Sequence, residues 1–373
     1  MTRYDDFRFL ARTLTPPNTD DPASEALCDE IGRMGRNWEG VIELASRHLV
    51  TPTLYWSLDT KGLLGALPPD VHRYLETVYE LNGERNRRIT HQLQQLVQAL
   101  TDARIKTVLL KGTSHLAENL YDNSACRMIG DIDILVPPWQ IEDALQVLVR
   151  IGYHEADGGD ASLYKGHHHY PPLVRNDEMA CVELHNAPVL RAFGELLPTV
   201  SVLNRSRQRT LDAQPVEVLD RRDQMILHIV HAQLAHQNYW AGNISLRSLF
   251  DLACLRTRFD DMIDWPEIFA TFDRVGYGAA CRGYLMIAET LLGQAVPPGF
   301  RPTIGARFAC WRVIRQMSYP WPSMIGEYVG HSRARFVIEG EKSYRRWLLS
   351  RLLQPGSYLR FIDSWRRHRD RVD

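Results

Sequence analysis

The sequence predicts an α+β fold: a core of strands and helices, flanked by N- and C-terminal helical regions. Three observations carry this. Helical periodicity fills most of residues 24–104, β-type patterning takes over near residue 107 and again at 131–136, and helical periodicity returns beyond about residue 220. The division that follows is an N-terminal helical region at 1–104, a strand-bearing core at 105–218 and a C-terminal helical region at 219–373.

In the first region Ile89, Leu93, Leu96, Val97 and Leu100 recur on one helical face among polar neighbours such as His91, Gln92 and Gln94. Val41, Ile42, Leu44, Ala45 and Leu49 form a less regular helical stretch, and Pro52 and Pro68-Pro69 separate successive helices. The core opens with Thr107-Val108-Leu109-Leu110, an apolar run ending at Lys111-Gly112-Thr113, after which His115 to Tyr121 reads as a helix. Ile132, Ile134 and Val136 alternate with Asp131, Asp133 and Leu135 in a second strand. Trp139 to Ile151 follows as an amphipathic helix, and Gly152 is placed to end it. Residues 153–177, with Gly158-Gly159, His167-His168-His169 and Pro171-Pro172, read as loop or hairpin connections, and Met179 to His185 is the third strand. Beyond 220, Ile226-Leu227-Ile229-Val230, Leu246-Leu249-Leu252-Leu255 and Tyr284-Leu285-Ile287 are helical, with breaks at Pro297-Pro298 and Pro320.

Bulk composition narrows the function classes. With 44 Lys+Arg against 45 Asp+Glu the net charge is -1, which gives no general attraction to nucleic acid or anionic membrane. A hydrophobic share of 45% is enough for a sizeable core. Six scattered cysteines without a C-x-x-C pair suit reduced thiols, and no apolar run approaches the roughly 18 residues of a membrane span. A cytoplasmic protein without a signal peptide is expected.

The chemistry concentrates at Asp131 and Asp133. On a strand they project from one face while Ile132 and Ile134 project from the other. Two carboxylates about 5 Å apart repel by roughly 3 kcal/mol at an effective dielectric near 20, so a rigidly held pair implies a cation. Mg²⁺ suits carboxylates, phosphates and water. Glu183, in Cys181-Val182-Glu183-Leu184-His185, has the same apolar support, and a neighbouring strand would bring it beside the pair. Upstream, Lys111-Gly112-Thr113 lies at a strand-to-helix turn where backbone N–H groups and a lysine favour phosphate.

The run Leu109-Leu110-Lys111-Gly112-Thr113, then Leu120-Tyr121, Arg127 and Asp131-Ile132-Asp133-Ile134-Leu135-Val136, followed by a helix and Gly152-Tyr153, resembles an uncharacterised bacterial family of the polymerase-beta-type nucleotidyltransferase superfamily. The likeness is most specific over residues 105–190. It implies a small mixed nucleotidyltransferase sheet in which Asp131, Asp133 and Glu183 hold metal and carry catalysis. Lys111, Gly112 and Thr113 would take the triphosphate, with Arg127 fixing phosphate or the loop before the acids. Thr113 stands where the superfamily has serine, and the interval to the acidic pair is longer. The implied activity is Mg²⁺-dependent transfer of a nucleoside monophosphate from a nucleoside triphosphate such as ATP. The acceptor is an unidentified hydroxyl or phosphate on a small molecule, peptide or protein.

Plainer readings stand beside these. Asp131 and Asp133 also fit a solvated strand edge, Glu183 a half-exposed strand face, and Lys111 and Arg127 ordinary surface cations. His167-His168-His169 reads as a polar loop, since in a strand only alternate residues share a face. His228 and His231 are three apart on a helix and read as a capped or core-packed pair. With Asp251 they offer an alternative, a metal-dependent hydrolase. A nucleotide-binding regulatory or interaction protein without turnover is another. The segment with Arg345-Arg346, Arg351, Arg360, Arg366-Arg367, Arg369 and Arg371, interleaved with Trp347, Tyr358, Phe361 and Trp365, reads as amphipathic helices with a charged outer face.

Overall fold

The computed structural model describes residues 3–15, 23–32, 37–156 and 167–318, with Gly330, Ala334, Val337 and Ile338. The arginine-rich segment from Arg345 to Arg371, Pro320 and the Gly158-Gly159 pair lie outside the described residues.

Helices α1 (Arg3–Thr13), α2 (Ala23–Gly32), α3 (Trp38–Arg47) and α4 (Thr51–Thr60) lead into α5 (Pro69–Asp102), a 34-residue helix. The prolines separate helices by starting them. Pro52 lies in the first turn of α4 and Pro69 opens α5, positions whose amide hydrogen has no intrahelical partner to lose. The core then runs β1 (Val108–Leu109), α6 (Lys111–Ala117), β2 (Ile132–Leu135), α7 (Ile141–Arg150), β3 (His154–Glu155), β4 (Leu173–Val174), β5 (Val182–His185), α8 (Thr199–Arg205), β6 (Arg207–Leu211) and β7 (Gln214–Val218). These strands form one mixed sheet in the order β3-β4-β5-β2-β1-β7-β6, parallel at β2/β5 and β1/β7 and antiparallel at the other pairings. The C-terminal part comprises α9 (Arg221–Ile229), which continues through a π-helical turn at Val230–Ala235, then α10 (Asn238–Ala241), α11 (Leu246–Phe259), α12 (Trp265–Arg274), α13 (Gly278–Leu292) and α14 (Ile304–Ser318). The architecture is the mixed α+β class that the periodicities predict.

Two hydrophobic cores organise the chain. One joins both helical flanks, with Phe9, Leu10 and Leu54 from the N-terminal side and Phe250, Phe272 and Tyr284 from the C-terminal side. The other lies under the sheet and contains Ile132, Ile134, Val182 and Leu184, together with Leu148 of α7 and Ile89, Leu93, Leu96 and Leu100 of α5. Because Val71 and Leu75 of α5 sit in the first core, this one helix spans both.

Several boundaries differ from the periodicity. Helix α6 starts at Lys111 rather than His115, because the left-handed backbone at Lys111, φ 47°, turns the chain directly out of a two-residue strand. Residues 153–177 contribute β3 and β4, strands of two residues that are too short to show alternation. The β6/β7 hairpin is absent from the sequence reading; its two-residue turn has Asp212 at φ 52°, the left-handed conformation that aspartate tolerates. No described helix is long and apolar enough to cross a membrane, and the six cysteines are free.

Candidate active site

The parallel register of β2 and β5 sets Asp133 directly beside Glu183, and Leu135 beside His185. Asp131 stands one residue before β2, on the same face by strand alternation. Lys111, at the turn after β1, sends its ammonium 2.6 Å from Asp133 Oδ1 and 3.6 Å from Glu183 Oε2. His185 Nε2 lies 2.9 Å from the same Asp133 oxygen and 3.5 Å from Glu183 Oε2. Asp133 and His185 are buried, whereas Asp131 and Glu183 are half-buried.

The electrostatics follow from this geometry. Burial disfavours ionisation of Asp133, but the Lys111 ammonium and the His185 hydrogen bond outweigh it and hold the carboxyl well below the ordinary range. Burial likewise opposes Glu183, and the His185 hydrogen bond with Lys111 brings its pKa down. Asp131 goes the other way: burial first, then the nearby Asp133 and Glu183 charges, raise it. For Lys111 and His185 desolvation is overcome by the carboxylates, so both are raised. The group is therefore a set of negative carboxylates with a cation already between two of them.

Side chains of α5 hold the loops that enter both acidic strands. Asn82 Nδ2 donates to Ala125 O at 2.7 Å, and Asn86 Nδ2 donates to Ser124 O and Arg127 O, each at 2.7 Å. Arg85 donates to Ile129 O and Gly130 O, immediately before Asp131. Six residues after Asn86, Gln92 exchanges two bonds with Ala180, donating to its carbonyl at 2.8 Å and accepting from its N–H at 3.1 Å, just before β5. Asn82, Asn86 and Gln92 are buried, so each interrupts the apolar face of α5 in order to satisfy loop backbone that water does not reach.

The predicted phosphate-binding residues separate into different environments. A Cβ on Gly112 would meet Ile129 Cδ1 at 3.1 Å, so glycine lets the first turn of α6 lie against the loop before the acids. Thr113 is buried, and its hydroxyl donates to Leu110 O at 2.7 Å and Asp133 O at 3.2 Å, tying α6 to β2. Arg127 is enclosed: its Nε donates to Asp251 Oδ1 at 2.9 Å, its Nη2 to Asp251 Oδ2 at 2.8 Å, and Nη1 to Met128 O. Tyr121 OH donates to Asp251 at 2.7 Å and lies 3.0 Å from His115 Nδ1. His228 Nε2 lies 3.2 Å from Tyr284 OH. His228, His231 and Asp251 therefore do not converge as a metal-binding group among the described residues.

Two cavities meet at Lys111. A cleft of about 910 Å³ is lined by Lys111, Asp131, Glu183, His167, His168, His169, Arg191, His231 and His236. A second space of about 40 Å³ lies deeper, against Gly112, Ser114, His231 and Arg247. The π-helical turn carries His231 to both spaces, a use for which such turns recur near functional sites. Ser114 Oγ is buried without a hydrogen-bond partner among the described residues. Arg247 lines the same small space, and burial pushes its pKa down.

The sequence reading missed His185, Ser114 and Arg247 as site residues. His185 had one available signal, its i+2 spacing from Glu183 on the same strand face. His167–His169 lie in the expected loop, and the loop brings their rings together. The chain bends at His168, His169 forms a bridge with His185, and the rings of His168 and His169 each lie 5.2 Å from that of His185. Burial lowers the pKa of all three imidazoles, His168 to about 2.

The mixed sheet thus brings Asp131, Asp133 and Glu183 together beside the Lys111-Gly112 turn, next to a cleft that Asp131 and Glu183 line. The chain belongs to the family described as uncharacterised nucleotidyltransferase, whose model matches residues 35–293. The match spans the sheet, α5 and both sides of the shared helical core. Nucleotidyl transfer is accordingly its general function. No curated protein and no solved structure gives a significant match.

Proposed function

We propose that the protein transfers a nucleoside monophosphate from a nucleoside triphosphate to a hydroxyl or phosphate acceptor in the cleft. The carrying observation is the parallel pairing of Asp133 with Glu183, with the Lys111 ammonium 2.6 and 3.6 Å from the two carboxylates. A position that stabilises one cation between rigid oxygen donors suits another, and Asp131, Asp133 and Glu183 would hold Mg²⁺ there. When bound, the ion supplies charge neutralisation on the phosphates and activates the attacking oxygen.

The chain's own groups do the rest. Lys111 exchanges its carboxylate partners for phosphate oxygens, and Arg247 and the backbone of the Gly112 turn take the remaining phosphate charge. The acceptor oxygen bonds to the α-phosphorus, its proton passes to one of the carboxylates, and the bond to the β-phosphate breaks as pyrophosphate leaves. Thr113 and Arg127 have supporting parts in this reading, packing α6 on β2 and fixing the loop before Asp131.

Incubation with each α-labelled triphosphate and an acceptor library tests the reading. Label transfer with pyrophosphate release is expected, and it should vanish in Asp131→Ala. Equal transfer by that variant would sink it. A second reading, nucleotide binding without turnover, is favoured by one observation, the double neutralisation of Asp133 by Lys111 and His185. Calorimetric nucleotide binding with no pyrophosphate across the library would select it.

A further inference from the structure

The histidine run at the cleft rim has a geometry that a regular strand forbids. Three consecutive side chains on a strand alternate between faces, yet here one ring nitrogen from each of His167, His168 and His169 lies within 4.8 Å of the others. The bend at His168 produces this, with ring centroids 4.6 to 4.9 Å apart. We propose that His167, His168 and His169 form a binding site for a zinc-class divalent ion at the rim of the cleft, separate from the carboxylate site.

The segment is held in place by its backbone. Asn186 and Ala187 N–H donate to His168 O at 3.0 and 3.2 Å, and Tyr170 N–H donates to Leu184 O at 2.8 Å. These bonds fix the run against β5, so little ordering remains for an ion to impose. His169 Nδ1 lies 2.8 Å from Tyr170 O, the arrangement that places the proton on Nδ1 and leaves the lone pair on Nε2. His168 Nδ1 is shielded from solvent and has no hydrogen-bond partner among the described residues.

Imidazoles around a zinc-class ion at about 2.0–2.1 Å have nitrogens roughly 3.3 Å apart, and the three ring nitrogens already lie within 4.8 Å of one another. Three protein ligands leave a coordination position, and the cleft supplies the room for it. The donor types also separate the two sites. Nitrogen donors favour zinc, cobalt, nickel and copper, whereas the oxygens of Asp131, Asp133 and Glu183 favour magnesium.

The test uses full-length, tag-free protein and Co²⁺ as a spectroscopic probe. One Co²⁺ per chain should bind with the visible absorption of a low-coordinate histidine site, be displaced by equimolar Zn²⁺ and persist in excess Mg²⁺. His168→Ala should weaken binding about tenfold or more, and His167→Gln with His169→Gln should abolish the band. Asp133→Asn should leave it unchanged. Far-UV circular dichroism matching the wild type shows that a variant is folded. Absence of the band, its survival in the folded double variant, or its loss in Asp133→Asn would each overturn the assignment. None of these readings depends on nucleotidyl transfer.

Discussion

Two aspartate clusters lie on either side of α6, and both combine a carboxylate with a cation and a histidine in the neighbourhood. At the cleft, Asp133 meets one ammonium hydrogen bond from Lys111 and one from His185. In the interior, Asp251 receives a two-pronged guanidinium from Arg127 and the hydroxyl of Tyr121. The difference lies in how replaceable the cation is. A lysine ammonium is a point charge on a flexible stem that other cations displace, whereas a bidentate arginine fixes geometry and cannot leave without stranding a buried charge. In the proposed reaction the first cluster exchanges its cation, while the second holds the Arg127 loop that leads to Asp131.

Swapping the damage between the clusters gives the largest effects. Asp133→Asn should lower nucleotidyl transfer by about a thousandfold, equivalent to ~4 kcal/mol of transition-state stabilisation, and should also lower the melting temperature by a few degrees, since Lys111 and His185 lose a buried counter-charge. Asp251→Ala should cost about 3–5 kcal/mol of stability, a fall of roughly 5 °C, with its effect on transfer only indirect. Steady-state kinetics and thermal unfolding of both variants check this. A stable Asp251→Ala protein, or an active Asp133→Asn protein, would erase the distinction.

A smaller effect is expected at Arg247, which lines the space beside Gly112 but belongs to neither holding pair. Arg247→Ala should raise KM for the triphosphate about tenfold while leaving unfolding unchanged, since a lost phosphate contact of this kind is worth about 1.4 kcal/mol. An unchanged KM would remove Arg247 from the phosphate path.

A further effect is a pH dependence of the interior cluster's surroundings. Burial keeps His115 and His228 neutral, lowering their pKa values from 6.5 to about 3 and about 4. A folded-state pKa below the unfolded one means that the stabilisation is complete above pH 6.5 and is lost as the pH falls toward 4. Urea unfolding between pH 7 and 5 should show stability dropping by up to roughly 1.4 kcal/mol per pH unit for each histidine. His115→Gln should flatten part of that slope, and an already flat wild-type profile would contradict it.

Much of this arrangement is legible in the residues. Alternation at Asp131-Ile132-Asp133-Ile134 and Val182-Glu183-Leu184 marks two half-apolar strands, and their pairing then follows because both bury the same apolar face. The roles of Arg127 and Thr113 are not legible, because they depend on partners that local patterning does not encode. Asp251 is 124 residues from Arg127, and Thr113 bonds to carbonyls rather than to a side chain. The convergence of the His167, His168 and His169 rings is not legible for a related reason: a single bend at His168 cancels the alternation on which strand arguments rest.

The continuity of α5 has a consequence for how this chain tolerates insertions and deletions. Asn82, Asn86 and Arg85 hold the entry to β2, and Gln92 holds the entry to β5, all on one uninterrupted helix. Each residue added between Asn86 and Gln92 would rotate one set of clamps by about 100° and shift it by about 1.5 Å relative to the other. Even a change by about two whole helical turns, which restores the rotation, would move one set by about 10 Å relative to the other, so the interval tolerates no change of length. The first turns of α5, before Asn82, which join the helical core through Val71 and Leu75, are the place where this helix can be lengthened or shortened with the spacing of the acids left intact.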